Sequence, residues 1–135
     1  MLYWAESGRV SRMSLDGSNS VVVLVSSSVT HPSGLTINYL TNQLFWTDPD
    51  MGTIEYSRLD GSGRTVLLSG QSLNPFKVDV LGNYVVWNSL GAVNFHLIDI
   101  VEGGGDTVVT PPTSDSKPVY GFVVVSDRRR PTSGE

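Results

Sequence analysis

The chain has 135 residues, 39% of them apolar and 16% charged, with a formal net charge of −4 and no cysteine. This composition suits one folded domain and excludes a disulfide framework, a thiolate metal site and a cysteine nucleophile. It also argues against nucleic acid as a partner, because phosphate contacts need a dense basic surface, and the basic cluster Arg128, Arg129 and Arg130 lies in a Pro/Ser/Gly-rich tail.

From the N-terminus, Leu2-Tyr3-Trp4-Ala5-Glu6 reads as a strand, Leu15-Asp16-Gly17-Ser18 as a turn, and Val21 to Val25 as an apolar run far too short to span a bilayer. A Pro-led strand follows at Gly34 to Ile37, then a polar turn at Asn38 to Asn42 and a tryptophan strand at Leu44 to Asp48. After a polar turn at Asp48 to Gly52 come a strand from Thr53 to Leu59, an Asp60-Gly61 turn and a strand from Arg64 to Leu68. Asp-Gly between two apolar runs predicts a hairpin of type I′, whose two central positions both take positive φ. Further on, Val78-Asp79-Val80, Val85-Val86-Trp87-Asn88-Ser89 and Ile98-Asp99-Ile100 repeat parts of this order, and Pro118 leads a last apolar run, Gly121-Phe122-Val123-Val124.

The repeats keep a fixed period. Trp4, Trp46 and Trp87 stand 42 and 41 residues apart, and Pro32, Pro75 and Pro118 stand 43 and 43 apart. A unit of this length with four short antiparallel strands is a propeller blade, and no 3.6-residue periodicity supports a helical repeat. WD40 and kelch blades share the size, so the residues themselves decide.

His31-Pro32-Ser33-Gly34-Leu35-Thr36-Ile37, then Leu44-Phe45-Trp46-Thr47-Asp48, then Leu59-Asp60-Gly61-Ser62-Gly63-Arg64 closely resembles the YWTD repeat, or low-density-lipoprotein-receptor class B repeat. The resemblance covers about residues 2 to 131. Copies one and three depart from it: Glu6 and Ser89 stand where the family has Asp, and Lys77 stands where Gly34 leads one to expect glycine. It implies an all-β YWTD-type β-propeller segment of about three four-stranded blades, half of a six-bladed ring. Residues 1–126 are then a partial propeller, with repeats at about 1–30, 31–73 and 74–126, and 127–135 are a flexible tail. Family rings close when the last strand completes the blade begun by the first three, so the run from Pro118 to Val125 is expected to be such a strand. A sequence fragment and a half-propeller that dimerises into a six-bladed ring both stay open.

The resemblance implies a non-catalytic protein-binding module of a cell-surface or matrix protein, acting in ligand binding, receptor-mediated endocytosis or Wnt-type co-receptor signalling. Its expected partners are protein ligands and flanking EGF-like modules in a longer parent chain, with no cofactor and no membrane contact by this segment. The alternative is part of a six-bladed enzyme such as a calcium-dependent lactonase. That reading needs inward carboxylates on the Pro-led strands, which offer only Asp79. His31 and His96 form no metal-ligand pattern.

Trp4, Trp46 and Trp87 are expected to pack between blades, Asp48 to tie neighbouring blades by hydrogen bonds, and Gly17 and Gly61 to make the turns. In a four-stranded blade, the links from strand 2 to strand 3 and from strand 4 to the next strand 1 emerge on one end of the ring. Those links are Ala5 to Arg9, Ser26 to Ser33, Thr47 to Thr53, Gly70 to Phe76 and Asn88 to Ala92. Loops on a rigid scaffold carry recognition residues, so Arg9, His31, Asp50, Met51, Phe76 and Asn88 are the partner-binding candidates. Asn42, Gln43 and Ser62 belong to the opposite end.

Overall fold

Residues 1–24, 29–103, 105–112 and 117–125 are described by a computed structural model of the chain. The expected tail at 127–135, with Arg128 to Arg130, lies outside them. Among the described residues eleven strands run β1 (Leu2–Glu6), β2 (Arg9–Met13), β3 (Val21–Leu24), β4 (Leu35–Asn38), β5 (Gln43–Asp48), β6 (Thr53–Arg58), β7 (Thr65–Ser69), β8 (Pro75–Leu81), β9 (Tyr84–Ser89), β10 (Phe95–Asp99) and β11 (Thr107–Val109). They form a three-stranded first sheet, β1-β2-β3, and four-stranded second and third sheets, β4-β5-β6-β7 and β8-β9-β10-β11. Every pairing is antiparallel.

The pleat sends alternate side chains to opposite faces, and this builds two cores from one sequence pattern. Leu44 and Trp46 of β5 face the first sheet and join Val10, Leu24 and Val29. Phe45 faces the other way, into a cluster with Ile54, Val78, Val85, Trp87 and Ile98 of the second and third sheets. A strand with a sheet on either side has no face left for water, which is why Leu44 to Asp48 are all buried while Thr107, Val108 and Val109 of the outer strand β11 are exposed. Burying a tryptophan removes about 200 Å² from water, which at about 25 cal/mol per Å² is worth up to about 5 kcal/mol.

Close approach of the sheets fixes two glycines. A Cβ at Gly34 would lie 2.7 Å from the Phe76 carbonyl oxygen and 2.9 Å from the Val78 nitrogen on the next sheet. One at Gly61 would lie 2.3 Å from the Val23 carbonyl oxygen of the preceding sheet.

Two sequence expectations need correction. The Asp-Gly hairpins are not type I′: the Gly61 N–H donates to the Arg58 carbonyl and the Arg58 N–H to the Ser62 carbonyl, at 3.0 and 2.8 Å. The loop is therefore three residues, Leu59-Asp60-Gly61, a tight turn closed by a glycine at φ +87°, with Asp60 outside the left-handed region. Ser14 to Ser18 repeat the same bonds, with Gly17 at φ +85°. The run from Pro118 to Val125 is not a strand in any sheet and does not complete the first one. It lies instead along the third sheet, where the Val119 N–H donates to the Ala92 carbonyl at 2.8 Å and the Val124 N–H to Asp79 Oδ2 at 2.7 Å.

Candidate partner-binding face

The links on the chosen end are joined to one another by backbone hydrogen bonds. Gly8 N–H donates to the Thr30 carbonyl at 2.9 Å, Gly70 N–H to the Gly52 carbonyl at 2.9 Å, and Leu90 N–H to the Asn74 carbonyl at 3.2 Å. Asp48, fully buried at the end of β5, organises the middle of this face. Its carboxylate accepts from the Thr30 N–H at 2.6 Å, from the His31 N–H at 3.3 Å and from the Met51 N–H at 3.3 Å. One side chain thus holds the link between the first and second sheets against the turn of its own hairpin. In the third sheet Ser89 stands at this place and donates to the Leu73 carbonyl at 2.6 Å.

Over this buried anchor the polar tips reach solvent. His31 Nδ1 meets Asp50 Oδ2, with both side chains more than half exposed. Met51 is 44% exposed beside them. Arg9 donates to Glu6 Oε1 at 2.7 Å, and this bond, the largest influence on Glu6, holds its carboxyl below the ordinary range. Phe76 is half-buried, with Lys77 Nζ 4.6 Å from its ring centroid.

Asn88 does not belong with these residues, because it is fully buried. Its Oδ1 accepts from the Lys77 N–H at 3.1 Å and its Nδ2 donates to the Val119 carbonyl at 2.9 Å. Thr47 does the same one sheet earlier: its hydroxyl accepts from the Gly34 N–H and donates to the Phe76 carbonyl, both at 2.8 Å. These two side chains, next to the tryptophan in their strands, tie the start of β4 to β8 and β8 to the segment 117–125. The sequence reading missed this role. The available signal was that both residues can donate and accept at once, whereas Ala5 at the same place in the first copy can do neither.

The tryptophans share a direction but differ in their polar ends. Trp46 and Trp87 are fully buried against the preceding sheet. Trp4 is half-buried and donates to Glu6 at 3.3 Å. Trp87 donates to Asp106 at 3.0 Å and stacks on His96, whose Nδ1 lies 2.6 Å from the other Asp106 oxygen. Opposite Trp46 stands Glu55, fully buried and held by the Arg64 guanidinium at 2.9 and 3.0 Å. Pairing of this kind is what keeps a buried carboxylate from being strongly destabilising.

Between β1, β4, β8 and the segment 117–125 lies a cavity of about 430 Å³, lined by Tyr3, Trp4, Thr36, Lys77, Asp79 and Phe122 among others. Asp79 already serves the protein: Oδ1 accepts from Thr36 Oγ1 at 3.0 Å and from the Val80 N–H at 2.8 Å, and Oδ2 from the Val124 N–H at 2.7 Å. Among the described residues no three His, Cys, Asp or Glu side chains are grouped to hold a metal ion.

No protein-family model matches the chain. Among curated proteins it is 37% identical over 93 residues to Protein cueball of Drosophila yakuba, a match covering 64% of this chain and 14% of that protein. It is 22% identical over 130 residues to the vitellogenin receptor Yl of Drosophila melanogaster, covering 96% of this chain and 6% of that protein. The chain therefore spans only a small part of the relatives it matches. Among solved structures, a chain of the nidogen/laminin complex superposes with a TM-score of 0.67 at 23% identity, over 78% of this chain and 42% of that one. A virginiamycin B lyase from Staphylococcus aureus gives a TM-score of 0.59 at 19% identity, over 82% of this chain and 37% of the lyase.

Proposed function

We propose that this chain, a segment of a YWTD-type β-propeller built from low-density-lipoprotein-receptor class B repeats, is a non-catalytic protein-binding module of an extracellular receptor or matrix protein. The observation that carries this reading is the arrangement around Asp48. A fully buried carboxylate fixes the backbone of Thr30, His31 and Met51, so that the exposed His31, Asp50 and Met51 side chains sit on a rigid base. Preordered loops lose little entropy when they bind, and a polar His–Asp pair beside a methionine offers both polar and apolar contact.

The parent role is that of a ligand-binding receptor, in endocytosis or Wnt-type signalling, with EGF-like modules beside a partial propeller over residues 1–126. A catalytic role has less support. Both oxygens of Asp79, the carboxylate on the inner strands, are occupied by donors of the protein itself.

The nidogen/laminin and vitellogenin-receptor likenesses suggest the probes. The immobilised chain is titrated with laminin and with vitellogenin in biolayer interferometry. The expected result is saturable binding to at least one of them that weakens with added salt. No saturable binding to either by a chain that melts cooperatively would overturn the reading.

A further inference from the structure

The junction between the first and second sheets carries two arginines that the repeat does not call for. Arg12 stands opposite Tyr3, Tyr56 opposite Phe45 and Leu97 opposite Val86, so the other two sheets fill this place with an aromatic or aliphatic side chain. Tyr56 stacks on Phe45 there, with ring centroids 5.3 Å apart. Arg58, opposite Gln43, has Asp99, opposite Tyr84, at its place in the third sheet. Arg12 is half-buried and held in position: its Nη1 donates to the Leu59 carbonyl at 3.1 Å and to the Tyr3 hydroxyl at 3.3 Å. Arg58 is exposed, and its guanidinium makes no hydrogen bond or ion pair among the described residues. Both line a groove of about 570 Å³, together with Thr41, Asn42, Leu59 and Asp60. Asp60 is engaged elsewhere: its Oδ1 accepts from the Ser62 hydroxyl at 2.6 Å and from the Ser62 N–H at 3.0 Å. The groove therefore sets two guanidiniums against one carboxylate, on the end of the sheets away from His31 and Asp50.

We infer that this groove is a second binding site, taking the carboxylates of a short acidic segment of a protein partner between Arg12 and Arg58. A guanidinium presents its donors in a planar fork that matches a carboxylate, and Arg58 has that fork uncommitted. Arg12, already fixed by the Leu59 carbonyl and Tyr3, supplies a second positive charge with little ordering left to lose on binding. Thr41 and Asn42 add a hydroxyl and an amide that can donate to the remaining carboxylate oxygens. Charge decides between an acidic peptide and a sulfated glycan. The chain carries a net −4, which repels a long polyanion along its length, whereas a short segment feels the local pair within a screening distance of about 8–10 Å.

The test is fluorescence anisotropy of the cooperatively melting chain with a fluorescein-labelled glycine-rich peptide carrying adjacent glutamates. Saturable binding is expected, at least about tenfold tighter than to the same peptide with glutamines. Arg58→Gln, at an exposed side chain, should keep the wild-type melt and weaken the glutamate peptide at least about tenfold. Asp60→Asn keeps an oxygen to accept from Ser62 and removes the opposing charge, so it should tighten binding by about two- to fivefold. A role for Arg58 in the fold alone would move neither affinity in this pattern. Equal binding of the two peptides, no saturable binding, or an Arg58→Gln chain that binds as the wild type does would each overturn the inference. So would a heparin oligosaccharide that binds more tightly than the glutamate peptide and loses that affinity in Arg58→Gln, which would make the ligand a sulfated glycan. Failure here with laminin or vitellogenin binding intact would leave the proposed function standing.

Discussion

Thr47 uses one hydroxyl twice, accepting from Gly34 within its own sheet and donating to Phe76 on the next. Thr47→Val keeps the shape and removes both bonds, leaving the buried Gly34 N–H and the part-buried Phe76 carbonyl short of a partner. The expected loss is about 1–3 kcal/mol, measured by urea denaturation. Trp46→Ala, on the same strand, empties a site with no exposed surface and should cost about 3–5 kcal/mol, read as a lost or strongly lowered melting transition. A Trp46→Ala chain with an unshifted transition would contradict the packing between sheets. The residue scale is also where the sequence misled. Asn88 looked like a loop residue because it stands near the end of a strand, yet it is fully buried and bonded to the segment 117–125, and only its match to Thr47 in hydrogen-bonding capacity betrayed that role. The tryptophan positions were legible because a large apolar side chain at a fixed period has few other uses.

Hairpin positions could be read from Asp-Gly between apolar runs, but the turn geometry could not. The same two residues serve a two-residue loop and the closing half of a three-residue loop, and the choice depends on strand register. With Gly61 alone in the left-handed region, the substitution that matters is at that glycine. Gly61→Val adds β-branched strain at φ +87° and drives its Cβ into the Val23 carbonyl, so it disturbs both the hairpin and its contact with the first sheet. We expect a loss of at least about 2 kcal/mol. Gly103→Ser, at φ +62° with nothing within 4 Å, should cost about 1 kcal/mol. Equal losses in thermal denaturation would remove the second, inter-sheet contribution at Gly61. The segment after Pro118 shows the other limit of sequence reading. Its alternating apolar residues specify a strand, but a strand exists only where a neighbour supplies hydrogen bonds, and composition does not say which neighbour that is.

At the scale of the whole molecule, the period of the tryptophans and prolines sufficed to foresee successive sheets stacked through shared cores, because each sheet needs a second to cover its face. Which loops share an end followed from strand alternation alone, and the bonds from Gly8 to Thr30 and from Gly70 to Gly52 join the links assigned to one end. What alternation cannot give is depth, and depth separates Asn88 from Arg9, Asp50 and Met51. Combined Arg9→Ala, Asp50→Ala and Met51→Ala changes remove exposed tips and leave the Asp48 carboxylate and its backbone bonds intact. They should lower the melting temperature by a few degrees at most, since each of the two exposed pairs contributes about 0–1 kcal/mol. Binding to whichever of laminin or vitellogenin the wild type recognises should weaken at least about tenfold, equivalent to about 1.4 kcal/mol. Asn88→Ala should do the reverse, lowering stability by about 1–3 kcal/mol through its two unpaired neighbours while the exposed tips remain in place. Substituting Asn42, Gln43 and Ser62 on the opposite end should leave binding unchanged. If those three removed it and the Arg9, Asp50 and Met51 changes did not, the binding face would be the other end of the sheets.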